Sequence, residues 1–402
     1  MGLRIIITIF ICFLLFSSDK QEDIKVGILH SLTGPLATNE TTLVLSTLFA
    51  IEEINAKGGI HGRLITPIIF DGASDPEVFK KGANELIDKG VVALFGCWTS
   101  ASRKAIIPII ESRNSILFYP VQHEGLEESQ NIIYLGASPN QQLLPALKWG
   151  MTKFGKKIFV IGSDYIYPKA SLQIINDFAS VHGAEIIGSK LIRLTDFNIE
   201  PIIEEISKKQ PDIIINLLNG DVNNKFFTLI EYQKGLENCA IISLSVTEDN
   251  IQTWNVEIKN HFLCWSYFQN TPTFQNKVFL KNFHDLVDPK IYVNDPMVTA
   301  YTAVNLWAST IKNIKSTTSQ NVAAFLKGQG LSSPEGIVTI SDNNYLFRGM
   351  IIAEVYAKKK PRFIWSSNQT IPPDPFLNYR SKDDWYQMML EWQDQWGGKW
   401  GS

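Results

Sequence analysis

The sequence predicts an α/β protein built as two doubly wound parallel-sheet lobes with a cleft between them. Short apolar strands alternate with helical segments from residue 23 onward, and the alternation restarts near residue 141. No long linker separates the two blocks. Apolar strands joined through helices make a parallel sheet covered on both faces. Two such blocks make two lobes, and 402 residues with 45% apolar and 19% charged side chains suffice for two cores.

The elements follow in order. Ile24 to Leu29 reads as a strand, and Thr42 to Lys57 as a helix stopped at Gly58-Gly59. Ile65 to Phe70 is a strand, Pro76 to Asp88 a helix and Val91 to Phe95 a strand. A helix after Ser100 carries Ile106, Ile107, Ile109 and Ile110, and Ile116 to Tyr119 is the fourth strand. The second block reads helix Gln141 to Phe154, strand Lys157 to Ile161, helix Ala170 to His182 and strand Glu185 to Lys190. Helix Ile199 to Lys208, strand Asp212 to Leu217 and helix Val222 to Lys234 complete it. Near the C-terminus Trp385, Met389, Trp392 and Trp396 share one helical face, suited to docking on the body or to a partner.

The N-terminus stands apart. Arg4 precedes Ile5 to Phe16, apolar throughout except Thr8, and Ser17-Ser18 follow. This pattern predicts a secretory signal over residues 1–18. The run is shorter than the ~20 residues a bilayer needs, although an uncleaved anchor is the alternative reading. The expected location is therefore periplasmic. Export permits disulfides, and Cys239 with Cys264 is the one pair to consider; the competing reading is three buried thiols, counting Cys97. The net charge of −3 argues against nucleic-acid binding.

Loops at the carboxyl ends of strands carry the candidate chemistry, because open α/β sheets bind ligands there. Phe95 to Lys104 places a flat indole, Trp98, beside the hydroxyls of Thr99, Ser100 and Ser102 at a helix start. Unpaired backbone N–H groups there can meet a ligand oxygen, or the hydroxyls can simply cap the helix. Arg103 and Lys104 fall in the first helical turn, where the dipole disfavours cations. They are expected to be solvated or to pair with a carboxylate of another loop. His30 to Pro35, Tyr119 to Gly125, Gly162 to Pro168, Asn219 to Asp221 and Thr247 to Asp249 are the other loops. Their plainer roles are packing for Tyr165 and Tyr167 against Pro168, and helix capping for Asp221 and Asp249. GxSxG, HExxH, Walker A and strand-linked GxGxxG patterns are absent, and the histidines lack metal spacing. His123 and Glu124 adjoin the expected cleft without completing a catalytic set. The sequence reads as a binder, not an enzyme, with no cofactor.

The segments FGCWTSASRK (Phe95 to Lys104), FYPVQHEG (Phe118 to Gly125), Pro139 to Gln142, SDYIYP (Ser163 to Pro168) and Asn219 to Asp221 carry a resemblance. So do Thr247 to Asp249, Asn294 to Met297, Pro334 to Gly336 and Pro372 to Leu377. Together they resemble the urea and short-chain-amide branch of the periplasmic binding proteins. That branch includes urea-binding components of ABC importers and amide-sensing regulators. The resemblance implies a type I periplasmic binding fold with three crossovers and a ligand at the hinge. It places lobe 1 at 23–139 with 272–344, and lobe 2 at 140–271 with 345–402, the latter including a helical tail.

It also implies an importer component, a monomer, that presents urea or a short-chain amide to membrane permease subunits. An amide-sensing regulator or receptor ectodomain is the alternative, against which the export signal weighs. Carried over by motif, Trp98 stacks on the ligand plane, Ser100 and Thr99 hold the carbonyl side, and Tyr119 and Gln122 line the first-lobe wall. Tyr165 and Tyr167 close from the second lobe. Asp221 or Asp249 accepts from N–H groups or fixes the lobe contact. Tyr167 matches the amide sensors, whereas Trp98 to Ser102 and the Trp- and Gly-rich end match the urea importers. Trp98→Ala is expected to weaken binding with little effect on the melting of the empty protein.

Overall fold

The computed structural model describes residues 22–254, 259–356 and 360–402; the expected signal at residues 1–18 lies outside them. The first lobe begins with β1 (Ile24–His30), α1 (Ala37–Asn55), β2 (Ile65–Asp71), α2 (Pro76–Asp88), β3 (Leu94–Gly96), α3 (Ser100–Ser112), β4 (Leu117–Tyr119) and β5 (Ile132–Tyr134). Its strands form one parallel sheet in the order β2-β1-β3-β4-β5.

The second lobe is built from α4 (Leu143–Lys153), β6 (Lys157–Ser163), α5 (Ile166–His182), β7 (Glu185–Ile192) and α6 (Glu200–Lys209). β8 (Ile213–Leu217), α7 (Val222–Ile230), β9 (Ala240–Ser243), α8 (Glu248–Thr253) and β10 (His261–Trp265) continue it. The chain then returns to the first lobe with α9 (Phe274–Leu286), α10 (Asp295–Ile314), α11 (Ser319–Leu326) and a small antiparallel sheet, β11 (Gly330–Ser333), β12 (Gly336–Ile340) and β13 (Leu346–Phe347). β14 (Ile351–Tyr356) and β15 (Lys360–Ser366) rejoin the second sheet, and α12 (Lys382–Gln395) follows.

That second sheet runs β15-β14-β10-β9-β8-β6-β7, parallel except for the antiparallel edge pair β14 and β15. Strand side chains feed two faces. Val26 and Ile28 meet Val304 and Trp307 of α10 on one side, while Leu29 meets Phe79 and Leu86 of α2 on the other. On the second lobe, Trp385, Met389 and Trp392 of α12 are buried together in the core.

Two helices start earlier than their apolar periodicity predicts. α1 begins at Ala37 because Asn39 and Glu40 point inward: the Glu40 carboxylate pairs with His30 Nδ1 at 2.9 Å and accepts from Ser31 N at 3.0 Å. α5 begins at Ile166, so Tyr167 and Pro168 occupy its first turn, where a missing proline N–H leaves no bond unmade.

The chain passes between the sheets three times, after β5, after β10 and before β14, and one buried ion pair joins all three passages. Arg348 donates to both carboxylate oxygens of Asp295 at 3.1 and 2.8 Å, to Glu335 at 2.6 Å and to Leu135 O at 3.2 Å. Asp295 Oδ2 in turn accepts from Ser266 N at 3.0 Å and Tyr267 N at 2.9 Å.

The disulfide considered above does not form. Cys97, Cys239 and Cys264 are all free and buried. Cys239 belongs to one core cluster of the second lobe and Cys264 to another, the two being filled from different faces of the sheet. Among the described residues no helix is long and apolar enough to cross a membrane. Among the same residues, no group of three or more His, Cys, Asp or Glu is placed to hold a metal ion.

Candidate ligand site between the lobes

The loop from β3 into α3 starts with two backbone constraints. A Cβ on Gly96 would sit 2.1 Å from Leu29 O, and Cys97 adopts a left-handed φ of 66°. They set Trp98 against the opposite lobe, where its Nε1 donates to Asn219 Oδ1 at 3.0 Å. Its carbonyl accepts from the Tyr119 hydroxyl at 2.7 Å. Thr99 is the helix cap, its Oγ1 accepting from Ser102 N at 3.0 Å. Ser100 Oγ accepts from Arg103 at 3.0 Å. Trp98 is 2% exposed within the first-lobe core, so the expectation that Trp98→Ala leaves the melting of the empty protein nearly unchanged is corrected: truncation would open a hole there.

Arg103 and Lys104 are not solvated; both are buried with two carboxylates from the loop after β4. Arg103 donates to Glu127 at 3.0 Å and to Glu124 at 2.9 Å, and Lys104 Nζ lies 2.7 Å from Glu127 and 3.5 Å from Glu124. The Tyr134 hydroxyl donates to Glu127 at 2.7 Å. Burial pushes the Glu127 carboxyl up, but Arg103 and Lys104 outweigh it and hold it well below the usual carboxylate range. Two charges of each sign cancel. One acceptor of this group, Glu124 Oε2, is buried with no hydrogen-bond partner.

Gln122, two residues earlier, reaches across to donate to Leu244 O at 3.1 Å and Ser245 Oγ at 3.0 Å, while its Oε1 is buried and unpartnered. From the second lobe come Tyr165, extended ahead of α5, and Tyr167 in its first turn, with ring centroids 6.3 Å apart. The Tyr167 hydroxyl faces Ser245 and Gln122, and Tyr165 feels Tyr119, Tyr167, Glu124 and Arg103. Burial pushes both phenols up, so both remain hydroxyl donors at neutral pH.

The junction therefore assembles Trp98, Ser100, Tyr119, Gln122, Tyr165 and Tyr167, with Thr99 as the cap beside them. Asp221 is a correction. Gly220, at φ 74° and close under Pro35 O, turns the loop so that Asn219 points inward while Asp221 is exposed. Asp249 lies in a separate contact between lobes, accepting from Asn294 Nδ2 at 2.7 Å beside the pair Asn39 and Asn250. His123 takes no part in acid–base machinery: its Nδ1 accepts from Gly125 N at 3.0 Å and its ring packs among Tyr119, Tyr134 and Tyr345. Burial and the Arg103 charge keep it neutral. The residues added by the structure are Asn219, Ser245, Glu124 and Glu127. The two cations in a first helical turn were the signal for the carboxylates; nothing in the sequence singles out Ser245.

Two α/β lobes joined by three crossings are matched by known proteins. The periplasmic binding protein domain family covers residues 24–382. The chain belongs to this family. Leu/Ile/Val-binding protein BraC3 of Rhizobium johnstonii is 21% identical over 221 residues, 53% of this chain and 59% of that protein. The chain spans 22% to 59% of the length of the curated relatives it matches. The fold is similar to a solute-binding protein of an ABC transporter from Rhodopseudomonas palustris, solved with 3,4-dihydroxybenzoic acid: TM-score 0.78, 18% identity, covering 87% of this chain and 99% of that one. It is similar also to LivJ of Streptococcus pneumoniae, a branched-chain amino acid transporter substrate-binding protein solved with isoleucine: TM-score 0.74, 18% identity, 87% and 100% covered.

Proposed function

We propose that this periplasmic binding protein is the exported solute-binding component of an ABC importer. We propose also that its solute is urea or a short-chain amide, held at the junction of Trp98, Tyr119, Gln122, Glu124, Tyr165 and Tyr167. The observation that carries this reading is the pair of unpartnered buried acceptors, Gln122 Oε1 and Glu124 Oε2, in a setting whose charges cancel. Urea is flat and uncharged, with N–H donors to meet two acceptors and one oxygen to meet hydroxyl donors. The phenols of Tyr165 and Tyr167 supply such donors, and the Trp98 ring offers a flat wall.

A zwitterionic amino acid or a benzoate brings a carboxylate, which needs a cation or several free N–H and O–H donors around it. Arg103 directs four of its five N–H donors at Ser100, Glu124 and Glu127, and Lys104 is engaged with the same two carboxylates, so both cations are already neutralised. A ligand carboxylate would also face Glu124 with like charge. Burying a group unpaired is what lets a small polar site discriminate.

Isothermal titration with urea, formamide, acetamide, leucine and 4-hydroxybenzoate tests the reading. Heat of binding with urea or an amide and none with the two carboxylic acids is expected. Tight leucine or hydroxybenzoate binding without urea or amide binding would overturn it, and ammonia release from urea would overturn the transport role.

A further inference from the structure

The chain beyond α12 folds back to the ligand junction. Gly397 and Gly398, at φ 64° and 84°, reverse its direction, and the last residues pair with the loop that carries Tyr165. Ile166 N donates to Trp400 O at 2.9 Å, Ser402 N donates to Asp164 O at 3.0 Å, and Gly401 forms an antiparallel bridge with Tyr165. The approach is close: a Cβ on Gly401 would meet Tyr165 Cβ at 2.6 Å. Trp400 thus belongs to the second lobe, packed against its core. Its indole face meets a cation of the first lobe, with Lys104 Nζ 5.1 Å from the ring centroid. Lys104 is 6% exposed and is the residue that bridges Glu124 and Glu127.

We propose that Trp400 is a closure latch: a positioning residue that grips Lys104 only when the lobes meet, and through Lys104 steadies Glu124 over the solute. The inference rests on the binding reading above for the solute, but the latch itself is a contact between lobes. When the lobes part, Lys104 keeps its carboxylates and Trp400 loses its cation. A desolvated cation–π contact is strong enough to bias such a balance. The conformational change is then coupled to occupancy through the difference in contacts between the open and closed states.

The test uses the full chain with Cys12→Ser, Glu77→Cys and Lys208→Cys, the last two being exposed positions on α2 and α6 that carry spin labels, while Cys97, Cys239 and Cys264 are buried. Distances are read with and without urea in the otherwise native protein, in Trp400→Leu and in Trp400→Phe. Trp400→Leu is expected to shift the ligand-free distribution toward longer distances. It should also speed urea dissociation roughly five- to thirtyfold, the range between an exposed and a desolvated cation–π contact, as suits a buried Lys104 against a half-buried Trp400. Trp400→Phe keeps an aromatic face and should stay within about twofold. Unchanged distances and dissociation in Trp400→Leu would overturn the latch, as would an equal loss in Trp400→Phe. If the native protein binds neither urea nor an amide, the solute reading fails, and the ligand-free distances alone still decide the latch.

Discussion

Trp98 and Asn219 meet across the two lobes at 3.0 Å, indole N–H to amide oxygen, although 121 positions separate them in the chain. Each is anchored on its own side: the Trp98 carbonyl holds Tyr119, and Asn219 N donates to Ser163 Oγ at 3.0 Å. The bond exists only while the lobes are together, so its free energy adds to closure.

Asn219→Ala is expected to weaken urea binding about tenfold, the scale of a buried donor left unpaired. Most of the loss should appear in the dissociation rate, read by stopped-flow tryptophan fluorescence. Trp98→Ala should cost about 3–5 kcal/mol of first-lobe stability as well, because it empties a core position. Trp98→Phe is therefore the cleaner partner variant, and an unchanged dissociation rate in both Trp98→Phe and Asn219→Ala would show that the contact does not contribute to closure.

Glu127→Gln leaves Arg103 and Lys104 sharing one carboxylate inside the protein. Removing one partner of a buried ion pair costs about 3–5 kcal/mol, and guanidinium unfolding should register that loss. Urea is unsuitable as denaturant because it is the proposed solute. The folded carboxyl lies below the unfolded one, so its contribution is complete above about pH 4.5 and is lost as pH falls toward the folded value. The acid limb of the stability curve should consequently flatten in Glu127→Gln.

Glu248 has the opposite sign. Burial pushes its carboxyl up to about 8, although its Oε2 accepts from Gln269 N at 2.7 Å. Between about pH 4.5 and 8 the folded state keeps a proton that the unfolded state has lost. Its stabilising contribution is thus full below the unfolded value and is gone once pH passes the folded one. Glu248→Gln should melt increasingly above the native protein as pH rises from 5 to 9, a trend that calorimetry at four or five pH values would reveal or refute.

The three described cysteines should be silent in the native state. Burial raises the Cys97 and Cys264 thiols and pushes Cys239 up to about 12, so none presents a thiolate near neutrality. A thiol reagent should label them only after unfolding, and a reductant should leave the melting temperature unchanged. A Cys239–Cys264 cross-linked peptide in a non-reducing digest would contradict this.

The alternation of apolar strands and helices was legible because strand burial on both faces leaves a local, continuous pattern. Helix starts were less so. Residues 37–41 and 166–169 are polar or contain proline, yet they are helical, since Glu40 is satisfied by His30 and Pro168 falls where no N–H is required. The candidate loops were visible as aromatic and hydroxyl residues at strand ends, while the ill-placed charges of Arg103 and Lys104 left solvent or a carboxylate of another loop as alternative readings, because the loop that covers them is fixed only by the fold.

Sequence by itself determined two α/β lobes, the candidate loops at their strand ends and the aromatic, hydroxyl-rich character of those loops, all properties of local composition and order. Only the tertiary structure decided that Glu124 and Glu127 neutralise Arg103 and Lys104, that Asn219 and not Asp221 faces inward, that Cys239 and Cys264 lie apart, and that Trp400 returns to the junction. Those outcomes depend on which face of a strand or turn meets a segment more than a hundred residues away. Such meetings are fixed by the crossing of the chain between lobes, which leaves no periodic mark in the sequence.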